Sequence, residues 1–129
     1  MTAPAELATA RALHADGVTA MAHGRPAVAT GRLRAALRLL PAAGASEGPP
    51  GELRGRVLVS LAHAEAEQGR VGAGLELLAE AEPLLPADRL GVLFGQRGLL
   101  LLRTGRREEA LRDLDAAVAR LAESAEPPS

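Results

Sequence analysis

Residues 94–117 read Phe94-Gly-Gln-Arg-Gly98-Leu-Leu-Leu-Leu-Arg-Thr-Gly105-Arg-Arg-Glu-Glu-Ala110-Leu-Arg-Asp-Leu114-Asp-Ala-Ala117. A large apolar residue stands four before a small one, and a glycine follows seven later. Small, large apolar and small residues then fall five, nine and twelve beyond that glycine. The same arrangement occurs twice upstream. Leu13, Gly17, Gly24, Ala29, Leu33 and Ala36 carry it first, closed by Pro41; Leu58, Ala62, Gly69, Gly74, Leu78 and Ala81 carry it next, closed by Pro86. Self-similarity of this kind marks stacked supersecondary units, none of which can bury its apolar face alone. The expected fold is all-α: an α-solenoid of three helix-turn-helix hairpins, about six helices.

Punctuation and periodicity place the elements. Pro4 suits the first turn of a helix that runs to about His23. Gly24-Arg-Pro26 is a tight connection, and Pro26 opens a second helix. Val28, Leu33, Ala36, Leu37 and Leu40 form its apolar stripe, and Arg32, Arg34 and Arg38 lie opposite. Residues 42–51, rich in Gly and Pro, form a flexible connector. A second hairpin is expected over 52–86, turning at Gly69, with Glu76 and Glu80 outward. A third is expected over 88–122, turning at Gly105, with Asp88 as N-cap. Repeats of about 10–41, 52–86 and 88–122 then make residues 1–125 one domain, and 126–129 a disordered tail.

In the last helix Ala110, Leu111, Leu114, Ala117, Val118 and Leu121 share one face, as a helix capping a stack would. Leu99–Leu102 is apolar all round and belongs between neighbours or in an interface. Glycine costs up to about 1 kcal/mol in a helix interior. Close packing accounts for Gly17 and Gly98, which match in position, but not for Gly72 and Gly74. The second hairpin is therefore expected to be the least stable.

Composition narrows the function. The 129 residues carry a net charge of -1 and no cysteine. That excludes disulfides and thiolate chemistry, and it gives no global attraction to nucleic acid or anionic membrane. A single Phe leaves no stacking platform for bases. No signal peptide is readable and no apolar run approaches a membrane span, so a cytoplasmic protein is expected. Lys, Asn, Ile, Tyr and Trp are absent and every basic side chain is Arg, the alphabet of a very GC-rich genome.

The recurring positions resemble those of the tetratricopeptide repeat over roughly residues 10–122. Phe94, Gly98, Leu101, Gly105, Ala110, Leu114 and Ala117 make the best match. The chain departs from the pattern in its near lack of aromatics, in Gly74 where the family has alanine, and in turn glycines spaced 45 and then 36 apart. The stretches Arg-Gly-Arg-Val-Leu-Val-Ser-Leu-Ala (54–62), Gly69-Arg-Val and Arg103-Thr-Gly-Arg-Arg are also similar to the N-terminal repeats of actinobacterial proteins that carry a caspase-like CHAT domain. That peptidase needs a His-Cys dyad, which this chain lacks, so the likeness implies a regulatory or recruiting repeat arm, or a stand-alone relative.

The repeat resemblance implies a groove lined by the first helix of each hairpin. Arg11, His14, Val18 and Met21 would line it from the first unit, and Arg56, Val59, Ser60, His63 and Glu67 from the second. Gln96, Leu99, Leu102 and Arg103 would do so from the third. An apolar floor with Arg edges suits a peptide or partner helix, Arg forking onto carboxylates. The family's carboxylate clamp for chaperone tails uses Lys and Asn, and both are missing. No two of His14, His23 and His63 stand at i,i+3 or i,i+4, so no helix offers a metal pair. Glu108-Glu109 and Asp113-Asp115 read as a solvated face, not a glycosidase pair. Gly69-Arg-Val-Gly-Ala-Gly is a helix turn without the preceding strand a dinucleotide site needs. The expectation is a protein-binding module without cofactor, metal or enzymatic activity. A scaffold that self-associates through the Leu99–Leu102 region is the alternative; the opposed charges of the Arg-rich second helix and the Glu-rich fourth could stack the repeats or join chains head to tail.

Overall fold

The computed structural model describes residues 3–41 and 48–124. Among them there are six α-helices and no strand: α1 (Pro4–Ala22), α2 (Pro26–Arg38), α3 (Pro49–Glu67), α4 (Val71–Ala81), α5 (Leu90–Arg103) and α6 (Arg107–Ser124). They pair as α1 with α2, α3 with α4 and α5 with α6. Two compact units divide the chain, one ending at Leu84 and the other beginning at Leu85.

One turn joins each pair. Gly24, Gly69 and Gly105 have φ of 70°, 87° and 78°, the left-handed region that glycine enters without a Cβ penalty. The Arg25 N–H donates to Ala20 O, Arg70 N–H to Glu65 O and Arg106 N–H to Leu101 O, at 2.9, 2.9 and 3.0 Å. The glycine N–H groups donate to the carbonyls of Met21, Ala66 and Leu102. This is the Schellman closure, which satisfies carbonyls that a helix end leaves orphaned.

In the unit ending at Leu84, α3 is central: α2 packs on one side of it and α4 is its hairpin partner. Leu33, Leu40, Leu53, Val57, Leu61 and Ala64 form the buried core, with Leu7, Leu13, Met21 and Leu37 packed against it. Each hairpin sets a leucine of its second helix against a small residue of its first. A Cβ on Gly17 would stand 2.7 Å from Leu33 Cγ, and one on Gly98 would stand 2.7 Å from Leu114 Cγ. Ala62 holds the same place in the second hairpin, and both it and Leu78 are fully buried.

Four expectations change. The third helix begins at Pro49, inside the expected connector, because proline at the first two helical positions forfeits no hydrogen bond. Residues 42–47 of that connector, and the tail 126–129, lie outside the described residues. The fourth helix stops at Ala81 and passes into a 3-10 turn, Glu82–Leu84, instead of reaching Pro86. Asp88 is not an N-cap but sits in a 3-10 turn, Ala87–Arg89, that feeds α5. The apolar face of the sixth helix is only partly covered: Ala110 and Ala117 are buried, whereas Leu111, Val118 and Leu121 are exposed.

Candidate functional site

Arg11, His14 and Val18 follow helical spacing along α1, and Arg56, Ser60, His63 and Glu67 do so along α3. His14 Nε2 lies 3.1 Å from Ser60 Oγ, a partly buried hydrogen bond that joins the two helices on this face. His63 pairs along its own helix with Glu67, Nε2 to Oε1 at 3.5 Å, both half exposed. Arg11 is exposed, Arg56 and Ser60 are partly buried, and Val18 presents about half its surface. The result is a strip with an apolar step at Val18, basic edges at Arg11 and Arg56, and a hydroxyl–imidazole pair between them. Met21, expected on this strip, instead packs against the core.

In the other unit Gln96 is partly buried on α5, while Leu99 and Arg103 are exposed. The run Leu99–Leu102 divides between two environments: Leu100 and Leu101 are buried, and Leu99 and Leu102 are exposed. A rotation of about 100° per residue separates them onto two faces.

The most buried charge is one that sequence reasoning passed over. Glu65 is 2% exposed, near the C-terminus of α3. Arg34 Nη2, from α2, donates to its Oε1 at 3.3 Å. Arg70, in the turn, donates from Nε to Oε2 and from Nη2 to Oε1, the latter at 3.3 Å. The hydrogen bond from Arg70, with the charges of Arg70 and Arg34, holds this carboxyl below the ordinary glutamate range against the upward push of burial. The signal lies in the turn itself. A Schellman closure commonly sets an apolar pair across these two positions, and here Glu65 and Arg70 occupy them. Beside it, Gln68 Nε2 donates to Thr30 Oγ1 at 2.8 Å and to Pro26 O at 3.2 Å, fixing α3 on α2. Arg34, on the Arg-rich side of α2, thus pairs with a carboxylate of α3.

In the second unit, Arg97 makes a two-pronged bond to Asp113, at 2.7 and 3.0 Å. The guanidinium groups of Arg97 and Arg120 lie 5.4 and 5.7 Å from the centre of the Phe94 ring, within cation–π range. These groups tie α5 to α6. Among the described residues no three His, Asp or Glu side chains come together as a metal cage, and no helix is long and apolar enough to cross a membrane.

No family model matches this chain, and no curated protein matches it. The faces just described offer hydrogen-bond donors, cationic forks and small apolar steps.

Proposed function

We propose that the protein is a binding module of the tetratricopeptide type that captures a peptide or partner helix on the inner face of its hairpins. The supporting observation is the His14–Ser60 bond, which makes α1 and α3 present one strip of side chains instead of two separate helix surfaces. Arg11 and Arg56 would take carboxylates of the partner by paired donation, and Val18 would take an apolar side chain. Gln96, Leu99 and Arg103 on α5 are the matching residues of the third hairpin, and the solenoid stacking of all three is part of the proposal. A role as recruiting arm of a CHAT-type protease system rests on the stretches 54–62, Gly69-Arg-Val and Arg103-Thr-Gly-Arg-Arg alone.

The test is a selection from a random-peptide library with the chain as bait, followed by binding measurements on Arg56→Glu/His63→Glu. Selected peptides are expected to be rich in Asp and Glu. They should lose at least tenfold in affinity for the variant, about 1.4 kcal/mol, while its helical circular dichroism is unchanged. Equal affinity for both proteins would remove this face from the account.

A second reading, self-association as a scaffold, is favoured by the exposed Leu99 and Leu102. Sedimentation of wild type and Leu99→Asp/Leu102→Asp distinguishes it: a dimer that the double variant dissolves would support it, and a monomer at high concentration would dismiss it.

A further inference from the structure

The outer face of α6 carries the largest exposed apolar side chains of that helix: Leu111, Val118 and Leu121 are 47%, 66% and 60% exposed. The repeat tells what such a face is for. Each position of α6 stands 81 residues beyond its counterpart in α2, as Leu114 does from Leu33 and Ala117 from Ala36. Leu111, Val118 and Leu121 therefore answer to Thr30, Leu37 and Leu40. Thr30 and Leu37 lie on α2 and Leu40 just beyond its end, and α3 covers this row. Leu40 is only 6% exposed, Leu37 packs against the core that includes Leu53, Val57 and Leu61, and Thr30 receives the Gln68 amide. The same row on α6 is open.

We infer that the Leu111–Val118–Leu121 face of α6 docks an amphipathic helix of a partner protein, one bearing a basic residue where α3 has Glu65 and an apolar residue where α3 has Gln68. The chemistry follows from two exchanges between α2 and α6. Arg34, which pairs with Glu65, is replaced at the matching position by Asp115, so the incoming helix carries the opposite charge from α3. Thr30, which accepts from Gln68, is replaced by Leu111, so the hydrogen-bonding amide gives way to an apolar side chain. The stripe matching Leu53, Val57, Leu61 and Ala64 stays apolar.

Neither α1 nor α3 of a second copy supplies such a helix. The counterpart of that stripe on α1 is Ala8, Ala12, Asp16 and Thr19, too small and polar to fill the row. In α3 the stripe is already buried on α2 and Glu65 would face Asp115. The surface is carried by different residues from the α1–α3 strip, so the inference stands apart from the function proposed above.

The experiment uses the full chain and two synthetic peptides. One has the sequence of residues 49–68; the other has it with Glu65→Arg and Gln68→Leu. Fluorescence anisotropy of the labelled peptides should show the substituted one binding more tightly, by about fivefold, as expected for exchanging repulsion for attraction at a partly exposed charge. Asp115→Arg should reverse that preference. Val118→Asp/Leu121→Asp should abolish binding of the substituted peptide; these side chains are exposed, and circular dichroism checks that the fold is kept. Equal binding of both peptides, indifference to Asp115→Arg, or no binding at all would overturn the inference. So would a dimer of the free chain that Val118→Asp/Leu121→Asp dissolves, because the occupant would then be a second copy.

Discussion

Gly17 and Gly98 mark where hairpin helices approach too closely for a methyl group. At each, an added Cβ meets a leucine Cγ at 2.7 Å, and Leu33 is fully buried and has nowhere to move. Gly17→Ala and Gly98→Ala should each cost about 1–3 kcal/mol by overpacking. Gly31 and Gly72 are the controls, since nothing lies within 4 Å of their added Cβ. Gly31→Ala and Gly72→Ala should stabilise by about 0.4–1 kcal/mol through the unfolded chain. Thermal denaturation of the four variants reads both signs; a loss at Gly72 equal to that at Gly98 would contradict the assignment. Glu65 gives a second test. Its carboxyl titrates below the ordinary 4.5 in the folded protein. Its contribution to stability is thus fully present above that value and is lost as pH falls through the lower folded value. Denaturant melts should show stability falling below about pH 4.5, and Glu65→Gln, which should cost about 1–2 kcal/mol at neutral pH, should flatten that part of the curve. An unchanged acid slope in Glu65→Gln would assign the loss to other carboxylates.

At the scale of elements, the turns were readable because glycine and proline have few substitutes there. Gly24, Gly69 and Gly105 each occupy a backbone region that other residues rarely enter, and Pro4 and Pro26 each open a helix. The start of α3 was not readable, since Pro49-Pro50-Gly51 suits a loop as well as a first turn. The second hairpin was expected to be weakest as a unit, from Gly72 and Gly74. Its helices instead differ. Ten residues of α3 are buried, including Leu53, Val57, Leu58 and Leu61, against three of α4. Native-state hydrogen exchange should find the α3 amides slowest in the unit ending at Leu84 and those of α4 opening earlier. Faster exchange in α3 than in α4 would show that the glycines are not where this unit yields. The Glu65–Arg34–Arg70 cluster was hidden because periodicity ranks glutamate and arginine as surface residues, and only the turn geometry draws them together.

At the scale of the whole molecule, the proposed function rests on faces of side chains. The strip of Arg11, His14, Val18, Arg56, Ser60 and His63 was legible once the repeats were aligned, because equivalent positions of equivalent helices share a face. Met21 was misplaced on it because spacing alone does not tell a groove residue from one that turns into the core. The open row on α6 was hidden for the converse reason: Leu111, Val118 and Leu121 read as core until the buried positions, Ala110 and Ala117, are known. The α1–α3 strip is proposed to capture another polypeptide. The most direct measurement is a two-dimensional amide NMR titration of the chain with an acidic peptide from the library selection. The account predicts shifts concentrated at Arg11, His14, Val18, Arg56, Ser60 and His63. Shifts confined to other helices, with these amides unmoved at saturation, would contradict it.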